Sequence, residues 1–145
     1  MNPSSNKRCI SVACVILIDN NEVLLARRKE GTSFQGLLEL PGGKREPGES
    51  WIETARRELL EELSVDIIDP NLFMTTTWEN IDTQVTLVSV TATCAFRPTQ
   101  SKDHSELLWV PLSSLNTFLM KKKNEITKPD IPILEVLSIQ NLDFY

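Results

Sequence analysis

Glu58, Glu61 and Glu62 fall within a segment whose apolar residues recur at helical spacing. Glu58 and Glu62 are one turn apart, so their side chains share a face. Glu61 sits beside them, and the three carboxylates are expected to converge on one strip. Like charges at that spacing repel and cost stability unless a cation lies among them. Carboxylate oxygens with no nearby histidine or cysteine suit a hard ion, Mg2+ or Mn2+. Such an ion commonly binds through a few carboxylates together with the phosphates of a substrate. The ordinary alternative is a solvated, salt-bridged helix face, which acidic residues taken alone more often mean.

The preceding loop shifts that balance. Pro41-Gly42-Gly43-Lys44 brings bare backbone next to the acidic segment, and Gly48 permits a second tight turn. A glycine-containing loop feeding an acidic helix suits a metal–phosphate complex. Glycine loops are common, so the combination is not specific by itself.

These residues need elements to hold them. Ser50 to Leu63 is the clearest helix, because Ser50 and Glu53 have capping-box spacing and Ile52, Ala55, Leu59 and Leu63 form a buried stripe. Arg57 is spaced to pair with both Glu53 and Glu61. Cys9 to Ile18 reads as a buried strand, Asp19-Asn20-Asn21 as a turn, and Glu22 to Arg28 as the returning strand. Residues 29–36 read as a loop, and the short apolar run Leu37 to Leu40 is expected to stop at Pro41-Gly42-Gly43. Val65 to Trp78 favours strand. Gln84 to Phe96 alternates, with Val88, Val90, Ala92, Cys94 and Phe96 on one side.

Residues 97–105 read as a polar loop, 107–110 as a short strand and 111–119 as a short helix. Lys121-Lys122-Lys123 reads as a solvated loop in preference to a phosphate site. Residues 132–139 close the chain as a helix, with Pro132 suited to its first turn. The expectation is one α/β (α+β) domain over residues 1–145, a mixed sheet flanked by helices, with residues 1–7 flexible.

Composition narrows the partners. The chain has 145 residues, 41% hydrophobic and 24% charged, enough for one sizeable core. A net charge of −5 argues against a nucleic acid duplex as partner. It leaves room for a small phosphorylated ligand, since a metal ion supplies positive charge locally. Cys9, Cys14 and Cys94 form no close pair and read as small buried residues in a reducing compartment. The start does not resemble a signal peptide, and Val12 to Ile18 is too short to span a bilayer. A soluble cytoplasmic protein is expected, with no membrane partner.

In the window from Gly43 to Val65 the chain resembles the Nudix hydrolase family. That signature runs glycine, five residues, glutamate, seven residues, Arg-Glu, a bulky apolar residue, any residue, Glu-Glu, any residue, glycine, and an apolar residue. The chain carries Gly43, Glu49, Arg57, Glu58, Leu59, Glu61, Glu62 and Val65 in register, with Ser64 where the pattern has glycine. The hairpin before the window, Leu-Trp-Val-Pro at 108–111 and the Asp130-Ile-Pro-Ile-Leu segment extend the likeness to the MutT-like branch. Ser64 removes no ligand. At a helix end that favours positive φ it is expected to cost up to about 1 kcal/mol of stability and no activity.

The resemblance implies an α/β/α sandwich and a magnesium-dependent hydrolase. It implies Glu58, Glu61 and Glu62 as metal ligands, with the Gly43 carbonyl beside them, Glu49 in the metal site or its support, and Arg57 orienting the carboxylates. The base that takes a proton from water is Glu58 or a loop acid, Asp103 first and Glu106 as fallback. His104 reads as a solvated loop histidine. By the same resemblance Arg28 contacts phosphate or base and Asp130 reads the base. Phe34, Leu38 and Trp78 are candidates to wall the base pocket, with Trp78 and Trp109 equally suited to the core.

The implied substrate is an NTP or dNTP, oxidised, methylated or CTP-like forms included, cleaved to monophosphate and pyrophosphate by a monomer or homodimer. ADP-ribose or dinucleoside polyphosphates are the second choice, weakened because Asn80, Ile81, Asp82 and Thr83 occupy the stretch where such relatives carry proline or tyrosine. A catalytically silent nucleotide-binding module is the alternative of another class, disfavoured because every signature glutamate is present.

Overall fold

The computed structural model describes residues 6–140. The flexibility expected of residues 1–7 falls mostly outside that range. The long apolar run in the first strand sets the architecture. β1 (Arg8–Asp19) alternates Ala13, Val15 and Leu17 on one face with Cys14, Ile16 and Ile18 on the other, and all six are buried. A strand buried on both faces requires cover on both sides. Helix α1 (Trp51–Leu63) covers the first face with Ala55, Leu59 and Leu63. The second is covered by α2 (Leu115–Lys122) and α3 (Ile131–Ile139), through Leu115, Ile133, Leu134 and Leu137. The result is an α/β/α sandwich.

The mixed sheet runs β3-β2-β1-β6-β5, with β4 on β1 and β7 on β2. Its strands are β2 (Glu22–Arg28), β3 (Leu38–Glu39), β4 (Gly42–Lys44), β5 (Ile68–Glu79), β6 (Thr83–Thr93) and β7 (His104–Pro111). β1 and β6 run parallel from Arg8 to Leu17. β1 meets β2 only at Ile18 and Asp19, and gives Val12, Ala13 and Cys14 to β4.

Several expectations are corrected. The apolar run ends before Pro41 as expected, and Gly42-Gly43 then begins the further strand β4, because Gly42 can lie flush against the β1 backbone. Phe96 is 86% exposed, since β6 ends at Thr93 and its alternation is lost beyond. Ser89 and Thr91 are buried as well, and their hydroxyls donate to the Met74 and Asn71 carbonyls of β5. Lys121 and Lys122 are the last turn of α2, although their exposure agrees with solvation. Cys9 is exposed, near the start of β1, while Cys14 and Cys94 are buried.

α1 is capped as its sequence predicts: the Glu53 N–H donates to Ser50 Oγ at 3.1 Å, and the Ser50 N–H to Glu53 Oε1 at 3.0 Å. That bond removes Glu53 from Arg57, which turns elsewhere. At the other end Ser64 is left-handed, at φ 56° and ψ 35°, with its N–H on Leu60 O at 3.1 Å. Ser64→Gly is therefore expected to raise stability by up to about 1 kcal/mol with unchanged turnover. A thermal melt checks this, and a lower melting temperature would contradict it.

Candidate active site

A cleft of about 760 Å³ opens on the sheet face that carries Val12, Leu87 and Trp78. Its walls bring together Gly43 and Glu62, Asp103 and His104, Arg28 and Glu39, and Phe34 and Asp130. Residues from five separate stretches of chain thus face one volume, as a substrate site requires.

The acidic helix supplies one wall. Glu58 is only 15% exposed at its side chain and lies against Gly43, where an added Cβ would collide with its carboxyl group. Burial raises the Glu58 carboxyl above its ordinary value, opposed by the adjacent Arg57. Burial pushes Glu62 further, to about 8, reinforced by the charges of Glu58, Glu39 and Asp103. Glu62 Oε2 is buried with no hydrogen-bond partner among the described residues.

Glu61 does not join them. Its side chain is 58% exposed and meets Arg57 at 3.4 Å. Among the described residues no three His, Cys, Asp or Glu side chains converge closely enough to hold an ion. In this geometry Glu58 and Glu62 turn inward, while Glu61, about 100° around the helix from Glu62, turns to Arg57. The pair nevertheless fits a divalent cation. Both carboxylates are half-buried, Glu62 Oε2 is orphaned among the described residues, and the Gly43 backbone lies as close to Glu58 as only glycine allows. Such an arrangement is costly without positive charge.

Arg57 organises this wall. Its Nε donates to Glu49 Oε2 at 2.6 Å and its Nη2 to Glu49 Oε1 at 3.0 Å, while Nη1 donates to Glu58 Oε1 at 3.0 Å. Nη2 also reaches the Lys44 carbonyl at 3.0 Å, tying the helix to β4. The guanidinium beside Glu49 holds that carboxyl down at about 2. Thr54 Oγ1 and the Glu46 N–H also donate to Glu49, both at 2.9 Å. Its Oε1 takes three of these bonds and its Oε2 one, so Glu49 holds Arg57 in place.

Across the cleft, Arg28 Nη1 donates to both oxygens of Glu39 at 2.9 Å, and Nε reaches the Ser33 carbonyl. Phe34 and Trp78 meet edge to face, their rings 5.9 Å apart, and both line the cleft. Leu38 does not: it is buried in the core, and Leu40 lines the cleft instead. Trp109 points to the opposite face, under the Arg97 guanidinium at 4.2 Å.

Asp130 is buried and accepts the Leu40 N–H at 2.8 Å. Burial raises its carboxyl to about 7, with help from the Glu39 charge and against the Leu40 hydrogen bond. Asp103 is exposed at the cleft rim. Glu106 pairs with Arg27 at 2.7 Å and does not line the cleft. His104 is buried, not solvated.

Glu39 is the residue that the sequence reading missed. It holds Arg28, meets His104, and its charge raises both Glu62 and Asp130. The available signal was a lone acid between two core leucines, Leu38 and Leu40, just before the glycine loop.

Comparison with known proteins agrees with the geometry. The family model described as NUDIX domain matches residues 7–132. The chain is 36% identical over 73 residues to the "8-oxo-dGTP diphosphatase" of Escherichia coli K12, covering 50% of this chain and 57% of that one. It is 39% identical over 59 residues to the "CTP pyrophosphohydrolase" of the same organism, covering 41% and 44%. The alignments thus span about half the length of these curated relatives. The solved MutT protein from Methanosarcina mazei Go1 superposes with a TM-score of 0.77 at 24% identity, covering 90% of this chain and 94% of that chain. Among the described residues no helix is long and apolar enough to cross a membrane.

Proposed function

Because the chain belongs to the NUDIX family, we propose that it hydrolyses nucleoside triphosphates, ribo- or deoxyribo-, to the monophosphate and pyrophosphate. Oxidised purine and cytosine nucleotides are the favoured substrates, in keeping with the relatives named above. One observation carries this reading. Glu62, whose buried Oε2 has no partner among the described residues, and the buried Asp130 open onto the same cleft, which has room for a nucleotide.

Glu58, Glu62 and the Gly43 carbonyl are the groups that would hold Mg2+ or Mn2+. When bound, the ion supplies positive charge to the phosphate oxygens and acidifies water. Arg57, clamped by Glu49, fixes the Glu58 carboxylate. Asp103, exposed at the rim, takes the proton of the attacking water on a carboxylate oxygen, with Glu58 the alternative base. Arg28 presents positive charge to the polyphosphate from the opposite wall. Phe34 and Trp78 wall the base, and Asp130 addresses its polar edge. Near neutral pH Asp130 exists in both forms, so it donates when protonated and accepts when ionised.

The test is a panel of normal, oxidised and methylated NTPs and dNTPs, with ADP-ribose and dinucleoside polyphosphates, and both products identified. Monophosphate and pyrophosphate from a triphosphate are expected. Binding without hydrolysis across the panel would overturn the proposal. Asp130→Asn is expected to raise KM for the best substrate about tenfold, since one hydrogen bond to a base changes, with kcat within about threefold. A change in kcat alone would remove Asp130 from the base pocket.

A further inference from the structure

His104 is the only histidine of the chain, and nothing in the hydrolysis as described uses it. Its side chain is 2% exposed, yet both ring nitrogens are partnered. Nε2 lies 2.9 Å from Glu39 Oε2, and Nδ1 lies 2.8 Å from Ser101 Oγ. A carboxylate only accepts, so Nε2 carries the proton. In the neutral ring Nδ1 then accepts from the Ser101 hydroxyl, whose oxygen in turn accepts the Asp103 N–H at 3.3 Å. Glu39 is held at its other side by Arg28. One uninterrupted chain of hydrogen bonds therefore runs from Arg28 to the backbone of Asp103.

The local fold makes this arrangement. β7 pairs Glu106 with Arg27, and the register then slips so that His104 pairs with Arg28. Without that bulge His104 would lie on the same strand face as Glu106, which points outward to Arg27. The extra residue turns His104 inward instead. The segment it anchors is docked twice more: the Lys102 N–H donates to the Glu62 carbonyl at 3.0 Å, and Lys29 Nζ donates to the Lys102 carbonyl at 2.7 Å. Asp103 is thereby suspended beside the acidic helix, where its charge reaches both Glu58 and Glu62.

We propose that His104 is a positioning residue for the hydrolysis, holding the Asp103 segment against α1 through Ser101 and coupling it to the Glu39–Arg28 pair. This inference rests on the assignment of Asp103 as the proton acceptor. It assigns no contact between His104 and substrate.

The experiment combines amide hydrogen exchange with a double-mutant cycle in the full chain. His104→Ala is expected to speed exchange at Lys102 and Asp103 by about tenfold or more, as loss of a local anchor does. It is expected to lower kcat by about 10–100-fold, with KM within about threefold. Adding it to Asp103→Asn should cost little beyond Asp103→Asn alone, because both remove the same function. His104→Gln, which keeps one donor and one acceptor, should recover much of the loss. Ser101→Ala removes only the hydroxyl link and should show the same loosening if His104→Ala does not fold. Unchanged exchange at Lys102 and Asp103 in the folded variants overturns the inference, and so do additive losses in the cycle. An inert Asp103→Asn would remove the assignment of the acid, and the positioning role with it, while nucleotide hydrolysis would still stand on the panel.

Discussion

Glu62→Gln is expected to cut turnover by about 10²–10⁴-fold, as loss of a main catalytic carboxylate does, and to make the metal-free protein more stable at neutral pH. The two effects have one origin. Burial raises the Glu62 carboxyl from 4.5 to about 8, and Oε2 has no partner among the described residues. Its folded value lies above its unfolded one, so the folded state prefers the protonated acid. This contribution is whole below about 4.5 and is lost as pH rises toward 8. Glutamine occupies the same space without the charge and abolishes that slope. Denaturant melts in a chelator at pH 5 and pH 8 measure it, and the gain at pH 8 is on the order of a few kcal/mol at most. Adding Mg2+ should then raise the melting temperature of the wild type and leave that of Glu62→Gln unmoved. A Glu62→Gln protein with ordinary magnesium-dependent turnover would sink the assignment of this helix.

The second large effect separates two neighbouring glycines. Gly42 has φ +152°, and an added Cβ would strike the Ala13 carbonyl, with Cys14 Cα at 2.9 Å. Both obstacles are backbone of a core strand and cannot give way. Gly42→Ala is expected to cost about 2–5 kcal/mol, combining backbone strain with overpacking. At Gly43 the obstacle is the carboxyl end of Glu58, which can swing aside. Gly43→Ala should therefore melt within a few degrees of wild type while losing about 10–100-fold in kcat, the scale for a misplaced ligand. Thermal melts and steady-state kinetics on the pair decide this. Equal melting temperatures, or an active Gly43→Ala, would contradict the close approach of β4 to the acidic helix.

The difference between these glycines was invisible before the chain was folded. Both belong to one Pro-Gly-Gly-Lys loop, and only pairing with β1 directs Gly42 to a core strand and Gly43 to Glu58. Glu61 teaches the same lesson in reverse. Its spacing from Glu58 suggests a shared face, yet a single helical step leaves it 58% exposed at the side chain. Arg57 was legible as an organiser, but its chief partner is Glu49 from the preceding loop, because Glu53 is already committed to the cap.

By itself the sequence determined what depends on neighbours along the chain. The capped helix, the doubly buried first strand and the order of glycine, arginine and glutamates all follow from local spacing, and the family follows from that order. Tertiary structure alone decided what depends on distant segments meeting. The burial of His104 requires a slipped register against β2. The role of Glu39 requires Arg28, His104, Glu62 and Asp130 to gather around it. Burial and charge act through space, so the value of a carboxylate is known only once its neighbours are.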